Sequence, residues 1–357
     1  MKKDKLEKLA TEKNYPCVTI SMNTNRTYPA NHKDSILLKN LLEEAKERIL
    51  KEFGKRTVIE LIEKINKLES EFDVNYNLDS LHIFLSNTTE EIVKSTWPTH
   101  DGVHISENFA VKPLIKMFNR TEEYLILLLT QSNVRLLMAV NDGIVGEIKN
   151  DDFPFVNEAD EMADTDARSD AKQSENQTWE FFNKVDKAVV RIYNETDMRC
   201  LVISTSDNYN RFIKVADKPV IYLGWSNLSQ DDNGNYSVAK DAWQIVSTLQ
   251  EKARTEDIQE MLEAVGRGNV ITELSEIYRA TKEGRGDLLI VNDDFHQAVR
   301  VTEEFSLELV TDVTLPGVID DIISEIVWDV ISKKGRAVFT TQEKLKSLGD
   351  IALKVRY

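Results

Sequence analysis

The chain has 357 residues, 41% hydrophobic and 30% charged, which is enough for two or three domains with real cores and excludes a disordered or fibrous protein. Its formal net charge of −16 argues against broad, non-specific nucleic-acid binding, which needs clustered Lys and Arg. Cys17 and Cys200 each sit in an apolar stretch and read as reduced core thiols, which rules out a disulfide scaffold.

The N-terminus carries positive charge with no apolar run behind it, and YLILLL at 124–129 is only strand-length, so neither an export signal nor a membrane anchor is expected. The expected location is cytoplasmic. An apolar strand, PCVTISMNT at 16–24, comes first, followed by a polar loop and two helices. In the first helix Ile36, Leu37, Leu41, Leu42, Ala45 and Ile49 share one face; in the second, Val58, Leu61, Ile62, Ile65 and Leu68 do so. A strand, LHIFLS, then leads through a turn-rich stretch to the helix AVKPLIKMF, where Pro113 suits a first turn.

Three close strands open a second region: YLILLLT, VRLLMAV and IVGEI, the last two joined by Asn141-Asp142-Gly143, a hairpin signal. Residues 149–175 lose periodicity and gather acidic side chains, Asp160, Glu161, Asp164 and Asp166 among them, which reads as a long, mobile, acidic loop, either a solvated insert with no role or a docking segment for a basic protein surface. Order resumes with a helix striped by Phe181, Val185, Val189 and Ile192, then the strand CLVIS, a short helix, the strand PVIYLGW and a long helix carrying Ala242, Ile245, Val246 and Leu249.

The last region alternates helix and strand. ITELSEIYRATKEG ends at a Gly284 cap, DLLIV is a buried strand, VIDDIISEIVWDVISKKG is a helix, RAVFTT is a strand, Thr340 and Glu343 suit a capping box for a short KLKSL helix, and IALKVRY is the final strand. The whole is a multi-domain α/β protein divided as 1–121, 122–262 and 263–357.

PCVTISMNTNRTYP, FFNKVDKAV at 181–189 and IYRATKEGRGDLLIV, in that order, resemble the bacterial archaeo-eukaryotic release factor family, most of all its third subfamily. The resemblance implies a variable α/β N-terminal domain, an RNase H-like middle domain, and an αβα-layered C-terminal domain like that of Pelota and kink-turn-binding ribosomal proteins. It also implies a ribosome or ribosome-bound protein as partner, with a GTPase engaged through the C-terminal domain.

In that family's archaeal and eukaryotic relatives a hydrolytic Gly-Gly-Gln lies where residues 149–175 stand here. This stretch has no glycine, and its nearby glutamines, Gln173 and Gln177, follow Ala-Lys and Glu-Asn. Two glycines are what let such a loop approach the tRNA end, so neither glutamine inherits the catalytic role. The expectation is a non-catalytic translation-associated factor acting in rescue, termination or hibernation. The alternatives are a peptidyl-tRNA hydrolase on stalled ribosomes and a scaffold unrelated to translation.

No cofactor or metal is expected. Gly266-Arg267-Gly268 and Gly284-Arg285-Gly286 lack the order of a phosphate loop, and the middle strands YLILLLT, VRLLMAV and CLVIS carry no carboxylates in their centres for nuclease chemistry. His100 and His104, four apart around Gly102, read as a surface loop. Asp293, Asp294 and His296 follow the DLLIV strand at its C-terminal end, where ligands bind in α/β sheets, and form the best polar cluster. Trp179, Phe181 and Phe182 read as core rather than as a stacking platform.

Overall fold

The computed structural model describes residues 3–131, 133–156, 171–227, 234–302, 305–313, 315, 317–341 and 348–357. It is a mixed α/β fold in two compact units, Met1–Arg120 with Arg254–Tyr357, and Thr121–Ala253. The stretches 1–121 and 263–357, read separately in the sequence, meet in one core.

The first stretch contains α1 (Lys3–Thr11), β1 (Cys17–Asn23), α2 (His32–Phe53), α3 (Ile59–Glu71), β2 (Ser80–Leu85), β3 (Glu90–Ser95), β4 (Gly102–Ser106) and α4 (Lys112–Arg120). The strands form an antiparallel sheet in the order β3-β2-β1-β4. Strand alternation gives it two chemically different faces. Val18, Ile20, Met22, Leu81, Ile83, Val103 and Ile105 pack against Leu41, Leu42, Ala45 and Ile49 of α2 and Leu61 and Ile65 of α3. The opposite face carries Thr19, Ser21, Ser80, His82 and His104, all on odd β1 or even β2 and β4 positions. The turn-rich reading of 87–109 is thus corrected: β3 and β4 lie there.

The second unit contains β5 (Glu123–Leu129), β6 (Asn133–Val140), β7 (Gly143–Ile148), β8 (Phe155–Val156), α5 (Ala171–Thr196), β9 (Cys200–Ser204), α6 (Ser206–Val215), β10 (Tyr222–Asn227) and the first part of α7 (Gly234–Val265). Its sheet runs β10-β9-β5-β6-β7, with β8 added beside β6. The β5–β6–β7 meander is antiparallel, whereas β9 and β10 run parallel to β5. Asn141 takes the left-handed conformation (φ 51°) at the predicted hairpin, a conformation that asparagine tolerates. Phe181, Phe182, Val185 and Phe212 of α5 and α6 cover one face; Ala242 and Val246 of α7 cover the other.

Both ends of the 149–175 stretch enter regular structure. Phe153 is buried, β8 pairs with Val134 and Asn133, and α5 begins at Ala171. Asp160, Glu161, Asp164 and Asp166 lie outside the described residues.

The chain then completes the first unit with the end of α7, β11 (Val270–Ile271), α8 (Leu274–Lys282), β12 (Gly286–Asn292), a β13–β14 hairpin (Val299–Val301, Leu307–Leu309), α9 (Ile322–Ser332), β15 (Arg336–Thr340) and β16 (Ile351–Val355). Gly284 at φ 75° ends α8, as its sequence position implies. The sheet order is β11-β16-β12-β15. Leu289, Val291 and Leu353 face α8 and α9 and join Leu6, Leu9, Phe109, Leu114 and Ile115 in the shared core; Leu288, Ile290 and Ala352 face Ile258 and Met261 of α7. Two helices, a sheet and a helix thus make three layers. Glu343 and residues 344–347 of the expected KLKSL helix lie outside the described residues. Among the described residues no helix is long and apolar enough to cross a membrane.

Candidate functional site

The polar face of the N-terminal sheet opens on a cavity of about 550 Å³ within the first unit, walled by α4, the β12 exit loop and the start of α9. Four of the chain's five histidines line it: His82, His100, His104 and His296. The sequence-predicted cluster Asp293, Asp294 and His296 forms part of one wall.

The floor comes from β1 and β2, which pair Ser21 opposite His82. Ser80 Oγ donates to the Trp97 carbonyl at 2.6 Å, so its lone pair faces His82 Nε2 at 3.2 Å. That makes Nε2 the protonated nitrogen and leaves Nδ1 to accept from the Ser21 hydroxyl at 2.9 Å. Burial pushes the His82 imidazole down to about 4, keeping it neutral. A hydroxyl rather than a carboxylate orients the ring, and so weak a base is poorly matched to activating Ser21 near neutral pH. The floor is a fixed polar surface.

One wall is a ladder of cations. Lys112, Lys116 and Arg120 recur every four residues on α4 while Leu114 and Ile115 turn into the core. The three cations share two carboxylates: Lys112 pairs with Asp321, the N-cap of α9, and donates to the Phe295 carbonyl at 3.0 Å. Lys116 donates to the Asp293 carbonyl at 2.8 Å, and Arg120 pairs with the Asp293 carboxylate. Burial lowers the Lys116 ammonium, with the Asp293 charge pulling the other way. The Arg120 guanidinium lies 5.3 Å from the Trp97 ring centre, a cation–π contact.

At the rim, exposed His100 Nε2 lies 3.4 Å from Asp294 Oδ1, and His296 Nδ1 is 3.1 Å from the Asp294 carbonyl. The two imidazoles are 6.1 Å apart. His104, expected in a surface loop, is instead a β4 residue opposite Thr19. Its ring Nδ1 is shut off from solvent without a hydrogen-bond partner, and burial lowers it to about 4. Among the described residues, no three His, Cys, Asp or Glu side chains are placed to hold a metal ion.

Gln177 is exposed on α5 of the second unit; Gln173 lies in the same helix, its side chain outside the described residues. The sequence reading missed Ser21, His82, Trp97 and the α4 ladder. The four-residue spacing of Lys112, Lys116 and Arg120 was the one local signal available.

No curated protein matches the sequence. Among solved structures, archaeal Pelota from a ribosome-bound complex with ABCE1 is 16% identical, with 81% of this chain and 74% of that one covered and a TM-score of 0.42. S. cerevisiae Dom34, described as a translation termination-like factor, is 13% identical over 78% of this chain and 73% of its own, at 0.39. The archaeal termination factor aRF1 is 12% identical over 100% and 99%, at 0.26. Likenesses this distant carry no argument about activity. Over residues 123–285, however, the sequence matches the family model of bacterial archaeo-eukaryotic release factor family 3, and to that family this part of the chain is similar.

Proposed function

We propose that the protein is a translation-associated, non-catalytic factor that docks on a ribosome or a ribosome-bound protein in the cytoplasm. The observation that carries this reading is the match of residues 123–285 to bacterial archaeo-eukaryotic release factor family 3. The antiparallel meander extended by two parallel strands supports an RNase H-like middle domain, and the three layers around β12 support the Pelota-like C-terminal part. A GTPase engaged through that C-terminal part belongs to the same proposal. The absence of glycine from 149–175 supports a non-hydrolytic role, since the backbone freedom a Gly-Gly-Gln loop uses is missing.

The test is co-sedimentation of the full-length protein with ribosomes from its own cells across a salt series, beside a version lacking residues 157–170. Salt-sensitive co-sedimentation supports the reading, and its dependence on 157–170 assigns the contact to the acidic stretch. A protein that stays in the supernatant at every salt concentration is a scaffold outside translation. Release of peptide from peptidyl-tRNA, abolished by Gln173→Ala or Gln177→Ala, overturns the non-catalytic part.

A further inference from the structure

We propose that the cavity between the N-terminal sheet, α4 and the β12 exit loop binds a small zwitterion, a free amino acid or short peptide. Its lining residues all lie within 21–120 and 293–341, outside the family match, so the inference stands apart from the ribosomal reading.

The charges of the lining are sorted by depth. On the inner wall Lys112, Lys116 and Arg120 share Asp293 and Asp321, three positive charges to two negative, and these five side chains are between 3% and 21% exposed. Burial, and behind it the like charges of Arg120 and Lys112, lower the Lys116 ammonium against the pull of Asp293. An anionic group placed at this wall offsets that repulsion.

The mouth has the opposite sign. The Asp294 side chain is 76% exposed and has His100 beside it at 3.4 Å, and exposed Asp101 accepts from the backbone and side-chain N–H groups of Asn23, which carry no charge. Among the described residues no Lys or Arg pairs with either carboxylate. A cleft with low-dielectric walls focuses such a field, so a singly charged ligand is drawn to one end and repelled at the other. A molecule with a carboxylate and an ammonium answers both, the first towards α4 and the second towards the rim. With three cations and four carboxylates in all, the lining also suits a ligand of no net charge. Pro98, Pro113 and Met117 leave apolar surface for its side chain, and the volume, about 550 Å³, falls in the range of roughly 300–1,000 Å³ that small organic ligands occupy.

The experiment is isothermal titration of the full-length protein with leucine, phenylalanine, leucylglycine and glycylleucine, beside the N-acetylated form of each, which lacks the ammonium, and the C-amidated form, which lacks the carboxylate. The expected result is saturable binding of at least one zwitterion with a Kd below about 1 mM, and binding of both its blocked forms at least about fivefold weaker. Asp101→Asn combined with Asp294→Asn keeps a side-chain acceptor at each position and removes both charges. It is expected to weaken zwitterion binding by about fivefold or more and to remove the preference over the N-acetylated form, with an unchanged unfolding midpoint. The blocked ligands need no variant, so their comparison decides the matter even where the double substitution disturbs the fold. No saturable binding of any zwitterion, blocked forms that bind as tightly as the free ones, or an affinity and preference that the double substitution leaves intact would each overturn the proposal.

Discussion

Arg48 of α2 and Asp320, just before α9, form an ion pair at 2.9 Å, with only 12% and 4% of the two side chains exposed. Arg48 also donates to the Val103 and Val313 carbonyls, and Asp320 accepts from the Ile105 N–H at 2.8 Å. Removing one partner leaves the other charge buried and uncompensated. Arg48→Ala should therefore cost about 3–5 kcal/mol, read as a lowered urea midpoint for the first unit. A loss below about 1 kcal/mol would show that water reaches the site.

Burial pushes the Asp320 carboxyl up to about 6, against the pull of Arg48. The fold thus favours its neutral form, so this group contributes most stability below its ordinary range and loses it as pH rises towards 6. His82 and His104 act in the opposite sense. Lowered to about 4, they contribute fully above the ordinary imidazole value near 6.5, and that contribution is lost as pH falls from there to about 4. Two rings outweigh one carboxyl, so acidification from pH 6.5 to 4.5 should lower the first unit's stability. Asp320→Asn should make this fall steeper by removing the opposing group. Imidazole proton resonances of His82 and His104 that moved above pH 5.5 would contradict this account.

In the second unit, the Tyr222 hydroxyl donates to the buried Asp186 at 2.5 Å, and the Asp217 N–H donates to the other carboxylate oxygen at 2.8 Å. Burial, and then the nearby negative groups, hold the Tyr222 phenol well above its ordinary range. Tyr222→Phe removes one of two donors to a buried carboxylate and should cost about 1–3 kcal/mol in chemical denaturation. An unchanged midpoint would mean that another donor replaces it.

A side chain at Gly335 meets a closed space. An added Cβ would lie 2.6 Å from Val330 Cγ1 and 3.0 Å from the Gly286 carbonyl oxygen. Gly335→Ala should destabilise by about 1–3 kcal/mol through overpacking, measured as a drop in the thermal midpoint. Combining it with Val330→Ala should recover only part of the loss, because the Gly286 backbone stays in place.

The elements legible in the sequence were those with a strong apolar period. DLLIV, CLVIS and YLILLLT sit in sheets covered on both faces and read as continuous apolar runs, and the α2, α3 and α5 stripes were equally plain. β3 and β4 were not, since EEIVKS and GVHIS bury few apolar side chains and Pro98 and Gly102 beside them read as turns. Asp186, noticed only as part of FFNKVDKAV, proves to be a buried acceptor that ties α5 to the residues before β10. The cavity was half legible. Asp293, Asp294 and His296 follow a strand end, where ligands gather, but their partners are remote in sequence: Arg120 reaches Asp293 across 173 positions.

The discontinuous first unit has a consequence for how the chain is made. Its shared core joins Leu9, Phe84, Phe109 and Leu114 to Leu289, Ile326 and Leu353. During N-to-C synthesis the early residues therefore emerge with an apolar surface whose cover has not yet been translated. The intervening Thr121–Ala253 unit carries its own sheet and cores and is complete first. A ribosome halted before β12 would leave the nascent N-terminal part sticky and open to proteases and holdase chaperones, whatever had become of the middle unit.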